Sequence, residues 1–123
     1  MSEENRSPHS GVTDDAAPEA VQLDALDPQD IAPGITRRGL PSSGQVLART
    51  FDIAAGVTRP EVDVHDRDEL IYVISGELLD HGRRYPAGSY LYYQAGSSHQ
   101  PRTDTGVRIL VFGPAEAAAG PSS

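Results

Sequence analysis

The sequence predicts an all-β fold, either a sandwich or a closed barrel. Roughly eight short segments rich in β-branched and aromatic residues follow one another at close spacing, separated by turn residues. The 12 Gly and 10 Pro in 123 residues favour many turns over long helices. No segment has the length and periodicity of a substantial helix.

The individual strands are predicted from composition and from the turn residues that bound them. Gly44 to Ile53 alternates two faces, with Arg49, Phe51 and Ile53 on one of them. Glu69 to Ile74 is a strong strand because branched and aromatic residues follow its first residue. The other predicted strands are Gly34 to Leu40, Val62 to His65, Ser89 to Tyr93 and Val107 to Phe112, and Arg83 to Tyr85 is a short segment that bridges to Pro86. The predicted turns are at Gly56, Gly76, Asp80-His81-Gly82 and Gln94 to Ser98.

Charge and composition together divide the chain into three predicted parts. Residues 1–30 contain eight acids and one Arg, a net charge of −7, whereas residues 31–123 contain ten acids and nine Arg, a net charge of −1. We expect residues 1–30 to be an acidic, largely disordered leader, in which Val21 to Asp30 has enough apolar residues to pack as a short turn or strand. The β-barrel is predicted at residues 31–114, followed by a flexible tail at 115–123.

Composition excludes several classes of function. The chain has no Cys, so disulfides and thiolate metal sites are excluded. All ten basic residues are Arg, so Schiff-base chemistry through a lysine is excluded as well. The nearly neutral barrel segment offers no basic surface for nucleic acid. No apolar run approaches the roughly 18 residues of a membrane span, and the acidic amino terminus does not resemble a secretory signal, so we expect a cytoplasmic protein.

Four residues are candidates for a metal site: His65, Glu69, His99 and Asp63. Side chains two positions apart share a strand face, so Asp63 and His65 are expected to point the same way. Asp66 to Asp68 reads as a turn that places Glu69 beside His65, and His99 begins another strand after a glycine turn. A bound dication would offset the cost of burying a carboxylate. The bland alternative is that these are ordinary polar residues at strand ends.

Several neighbouring residues carry weaker expectations. Ile71 and Val73 share the parity of Glu69 and should line an apolar cavity, while Tyr72 should face away from the metal. Arg49 and Arg102 are candidate cavity cations, although solvated surface is the favoured interpretation for both. His81 is expected to be an exposed loop residue.

Two segments resemble the conserved motifs of the cupin superfamily. Gly56 to Gly76 resembles the first motif, with the family's three residues between His65 and Glu69 and six between Glu69 and Gly76. Gly88 to Thr103 resembles the second, with Gly96 and His99 at the family's positions. Within the superfamily, the stretches around Asp80-His81-Gly82 and Gly96-Ser97-Ser98-His99 look like the cupin domain of ChrR-type zinc-binding anti-sigma factors and related dioxygenase-like cupins. The resemblance implies a single-domain jelly-roll β-barrel over about residues 33–113, a fold that hosts many different reactions.

The chain departs from the cupin pattern at three positions. Gln94 replaces a proline and Thr103 replaces an asparagine, and both changes are expected to affect turn geometry only. Asp63 stands where the family has its first ligating histidine. With Asp63, the ligand set becomes two His, one Glu and one Asp, which favours Fe(II), with Mn(II), Zn(II) or Ni(II) as alternatives. Without Asp63, the set is a two-His-one-carboxylate triad, and a third alternative is that tight metal binding is lost.

The resemblance implies a metal-dependent cupin enzyme that acts on a chelating organic metabolite. Oxygenase-type chemistry is favoured over isomerisation or cyclisation because the ligand set is hard, with Glu69 or Asp63 available as a general base. The alternative is a non-catalytic sensory module of the ChrR type, which we expect less because residues 1–30 are too short and unpatterned for a sigma-binding helical domain. A homodimer formed through sheet edges is also expected.

Overall fold

The computed structural model describes residues 17–115. Within that range the chain forms nine β-strands and one short 3-10 turn, Leu23–Ala25, with no α-helix. The strands are β1 Gln29–Ala32, β2 Ile35–Gly39, β3 Val46–Ile53, β4 Asp63–Val64, β5 Glu69–Asp80, β6 Arg83–Pro86, β7 Tyr90–Tyr93, β8 Ser98–His99 and β9 Val107–Pro114. The predicted all-β class is confirmed.

One large antiparallel sheet carries most of the structure. Its seven strands run in the order β1-β2-β3-β9-β5-β6, and β7 pairs with the first half of β5. Strands β4 and β8 form a separate two-stranded sheet. Strand β9, the last strand among the described residues, therefore lies at the centre, between β3 and β5, as the connections of a jelly roll require.

The core lies on one face of β3, β9 and β5. In register, Phe51 lies opposite Ile109, and Ile109 lies opposite Val73. The next row aligns Arg49 with Val111 and Val111 with Ile71. Ile71 and Val73 are 1% and 0% exposed, so the predicted inward orientation of both is confirmed. Tyr72 between them is 41% exposed on the opposite face, also as predicted.

Strand β5 passes through the residue that the sequence assigned to a turn. Gly76 has φ +80°, and a Cβ there would lie 2.0 Å from the carbonyl oxygen of Gly106. The pairing of β5 with β9 shifts register between Val73 and Ser75, so a bulge bends the strand without ending it. The predicted turn at Gly76 is therefore wrong, although the glycine is required by the close approach of the two backbones.

Part of the predicted leader packs against the sheet. Arg38 Nε donates to the carbonyl of Leu26 at 3.1 Å, and Arg108 Nη1 lies 3.1 Å from Asp24 Oδ1. Strand β1 begins at Gln29, so Val21 to Asp30 forms both a turn and the start of a strand, as the apolar residues predicted. Predictions for residues 1–16 and 116–123 concern positions outside the described residues.

No helix among residues 17–115 has the length and apolar character needed to cross a bilayer.

Candidate metal centre

Backbone pairing brings the two candidate histidines together. Strand β4 ends immediately before His65, and its pairing with β8 places Asp63 opposite His99. The His65 N–H donates to the carbonyl of Ser97 at 2.9 Å, and the Gly96 N–H donates to the carbonyl of His65 at 2.7 Å. These bonds connect the segment after β4 to the glycine turn before β8, so both imidazoles project from the same small sheet.

Glu69 joins the histidines from the first position of β5. Its Oε1 lies 2.8 Å from His65 Nε2 and 4.0 Å from His99 Nε2. The three ligand atoms all lie within 4.8 Å of one another. The histidines are 9% and 5% exposed, so this group is inside the protein rather than on its surface. Asp63, the fourth candidate, has its backbone in β4, but its side chain lies outside the described part and its role stays a prediction.

The environment of the two ring nitrogens of His65 favours a bound cation. Both of its ring nitrogens are buried without a hydrogen-bond partner, although Nε2 is only 2.8 Å from the Glu69 carboxylate. The separation is short, but the atoms are not aligned as an N–H donor and its acceptor. A buried polar atom without a partner costs about 1–3 kcal/mol. A divalent ion shared by Nε2 and the carboxylate would satisfy both groups, so these residues fit a metal.

A second buried acid, Asp80, lies beside His99, and the sequence interpretation did not identify it. Asp80, at the end of β5, is 6% exposed, and its Oδ2 lies 3.6 Å from His99 Nδ1. The Tyr93 hydroxyl donates to the same oxygen at 2.5 Å. Burial, and then this hydrogen bond, raises the pKa of Tyr93, so its phenol stays protonated as a donor. The sequence assigned Asp80 to a turn because Asp80-His81-Gly82 is a turn signal. The structure places Asp80 at the last position of β5, immediately before that turn.

Arg49 also belongs to the site. Its Nη2 donates to Glu69 Oε2 at 3.1 Å, and its guanidinium lies 5.7 Å from the centre of the Phe51 ring. The favoured interpretation of Arg49 as solvated surface is therefore wrong, because β3 directs the side chain across β9 towards Glu69. For Arg102 the interpretation is confirmed, since that residue is exposed and lies 3.5 Å from Asp104. His81 is exposed as predicted, and its Nε2 donates to the carbonyl of Ser98 at 2.9 Å.

The candidate ligands open into a cavity of about 470 Å³. Apolar side chains of the sheet form one wall: Phe51, Ile71, Ile109 and Val111. Polar and charged groups also line the cavity, including four arginines: Arg37, Arg49, Arg59 and Arg67. This is the size and character of a site for a small organic molecule that is oriented by a few polar groups.

An antiparallel jelly roll that holds two histidines and a glutamate at the wall of a cavity has the architecture of a cupin. The model of the ChrR cupin-like domain family matches residues 16–115, and the chain belongs to this family. No curated protein matches the sequence.

Solved structures show the same fold. An RmlC-like cupin from Shewanella frigidimarina aligns with a TM-score of 0.70 and 19% identity, covering 80% of this chain and 91% of that one. The Rhodobacter sphaeroides complex of SigE with the anti-sigma ChrR aligns with a TM-score of 0.68 and 23% identity, covering 75% and 50%. The alignment therefore spans about half the length of the chain that it matches in that complex. A putative acetylacetone dioxygenase from Methylibium petroleiphilum aligns at 0.69 and 18%, covering 89% and 96%.

Proposed function

We propose that this cupin is a metal-dependent enzyme that acts on a small, chelating organic molecule. One observation carries the proposal: the three candidate ligands sit at the wall of a cavity of about 470 Å³ rather than in a sealed cluster. Structural metal sites use a complete set of protein ligands, whereas catalytic sites keep positions open for water or substrate. Three protein ligands, or four with Asp63, would leave room for water or substrate on an ion that accepts six ligands.

His65, Glu69 and His99 would hold the ion, and Asp63 is the predicted additional ligand. The bound ion would supply Lewis acidity and a template for a pair of substrate oxygens. The apolar wall of Phe51, Ile71 and Ile109 would exclude water from the carbon skeleton. Fe(II) is the expected ion, since imidazole and carboxylate ligands without sulfur suit it.

Two residues would prepare this group for the reaction. Arg49 neutralises the Glu69 oxygen that does not face His65, so it fixes the carboxylate and holds its second oxygen towards the histidines. Asp80 beside His99 Nδ1 favours a proton on that nitrogen, which leaves the Nε2 lone pair for the ion.

Oxygenase-type chemistry is the specific reaction that we propose. Support comes from the hard ligand set and from the fold shared with a putative acetylacetone dioxygenase. The test is anaerobic loading with Fe(II), followed by oxygen-electrode measurements with acetylacetone and other 1,3-diketones. We expect oxygen uptake that depends on the diketone and disappears in His99→Ala, while His81→Ala, an exposed histidine variant, retains it. Uptake no faster than that of His99→Ala across the diketones would contradict the oxygenase assignment.

A sensory role is the second candidate, because the family is named for ChrR and the fold aligns with the ChrR complex. The two roles differ in whether the ion can exchange a ligand. In cobalt-substituted protein, an enzyme site predicts a change in the visible d–d spectrum when acetylacetone is added. An unchanged spectrum, with tight zinc binding and no turnover, would favour the sensory module.

A further inference from the structure

Two arginines project from adjacent strands onto the cavity face of the sheet. Arg37 of β2 lies opposite Phe51 of β3, and Arg49 is two residues from Phe51 on the same face. The two arginines are thus diagonal neighbours, with about 7–8 Å between their Cα atoms. Both line the cavity that contains the candidate metal group.

The two guanidinium groups have different charge balance. Arg49 pairs with the Glu69 carboxylate at 3.1 Å. Arg37 Nη2 instead donates to Gln29 Oε1, a neutral amide oxygen, at 2.9 Å. In the part of the chain that the structure describes, no carboxylate pairs with Arg37. Among the described residues, Arg49 therefore has a carboxylate partner and Arg37 does not.

A ligand carboxylate is the group that would restore this balance. The planar guanidinium fork presents several donors in a geometry that matches a carboxylate in two parallel hydrogen bonds. Binding an anion would also relieve the repulsion between Arg37 and Arg49.

Arg37 lies at a distance from the metal group that fits a second end of a ligand. Strands β2 and β5 are three positions apart in the sheet, which is about 14–15 Å between backbones. An arginine side chain and a short organic acid together span that separation. A ligand held at both ends would lie along the apolar wall of Phe51 and Ile109.

We propose that Arg37 binds a carboxylate of the ligand remote from the metal. The ligand class is then a small organic acid with a metal-chelating oxygen pair at one end and a carboxylate at the other. The chelating end depends on the proposed function, whereas the carboxylate end depends on Arg37 alone.

The experiment compares two probes that differ only at the remote end. Both 2-oxoglutarate and 2-oxopentanoate carry a chelating 2-oxo acid, but only the first has a distal carboxylate. Calorimetric titration of the zinc-loaded protein should show that 2-oxoglutarate binds roughly tenfold to a hundredfold more tightly than 2-oxopentanoate. Arg37→Gln should remove this preference and leave 2-oxopentanoate unchanged. Arg83→Gln, the same substitution at an exposed position of β6, should retain it.

A second measurement does not depend on any variant. Added NaCl should weaken the binding of 2-oxoglutarate to the wild-type protein more than that of 2-oxopentanoate, because only the former forms the additional ion pair. Equal wild-type affinities, a preference that survives in Arg37→Gln, or no binding of 2-oxoglutarate below a Kd of about 10 mM would overturn the proposal.

Metal analysis of the same samples separates this proposal from the proposed function. If the wild-type protein retains neither zinc nor Fe(II), the proposed function fails. The same pair of probes applied to the metal-free protein would then still test Arg37, because a guanidinium needs no metal to prefer the dianion.

Discussion

The properties of the candidate metal centre depend on single buried charges around it. Without Glu69, His65 and His99 would be ordinary core imidazoles. Without Arg49, Glu69 would be a half-buried carboxylate with no arginine partner among the described residues. Asp80 adds a negative charge beside His99 Nδ1, at 3.6 Å. At this separation, beyond hydrogen-bond distance, a carboxylate acts on a ligating imidazole through its charge. We therefore assign to Asp80 an electrostatic effect on His99.

Asp80→Asn tests this assignment at the residue scale. The substitution keeps the shape and an oxygen that accepts from Tyr93, but it removes the charge beside His99. We expect metal affinity to fall roughly tenfold to a hundredfold, measured by competition with a chelator. Asp104→Asn, an exposed acid that pairs with Arg102, is the matched control and should bind as the wild type does. Equal affinities in the two variants would show that Asp80 does not act on the metal.

At the scale of elements, the site depends on how closely β9 passes the turn before β5. Gly113 lies in β9 and lines the cavity. A Cβ there would lie 2.7 Å from the carbonyl oxygen of Asp68 and 3.6 Å from the Cα of Glu69. The absence of a side chain thus lets the segment that ends at Asp68 lie directly against β9, and this contact places Glu69 at the start of β5.

Gly113→Ala should displace that segment and with it the Glu69 carboxylate. We expect a loss of about 1–3 kcal/mol in the free energy of unfolding, the usual cost of forcing an extra methyl into a packed position. Metal affinity should also fall. The control is Gly39→Ala in β2, where a new Cβ meets no atom within 4 Å. Urea denaturation of both variants is the measurement, and equal midpoints would refute the close approach as a constraint.

For the whole molecule, the strands and the first set of candidate ligands could be predicted because both depend on local pattern. The spacing of His65, Glu69 and Gly76 and the turn before His99 fixed the motif, and the structure brings the three ligand atoms within 4.8 Å of one another. The remainder depends on contacts that local pattern does not encode. Arg49 reaches Glu69 from 20 positions away, and Asp80 turns inward only because a bulge breaks the alternation of β5.

The expected homodimer, the identity of the ion and the role of Asp63 stay predictions. They depend on a partner surface, on coordination geometry and on one side chain, whereas the fold depends on the central pairing of β9 with β3 and β5. The ChrR cupin-like family and the jelly roll would remain even if the metal assignment failed.

The metal content of the purified protein tests the central claim most directly. Wild type, His81→Ala and the His65→Ala/His99→Ala double variant would each be loaded with Fe(II) or Zn(II), passed over a desalting column and measured by elemental analysis. We predict stoichiometric metal in the wild type and in His81→Ala, and only trace metal in a folded double variant. Full metal content in the double variant would contradict the account, because the ion would then be held elsewhere.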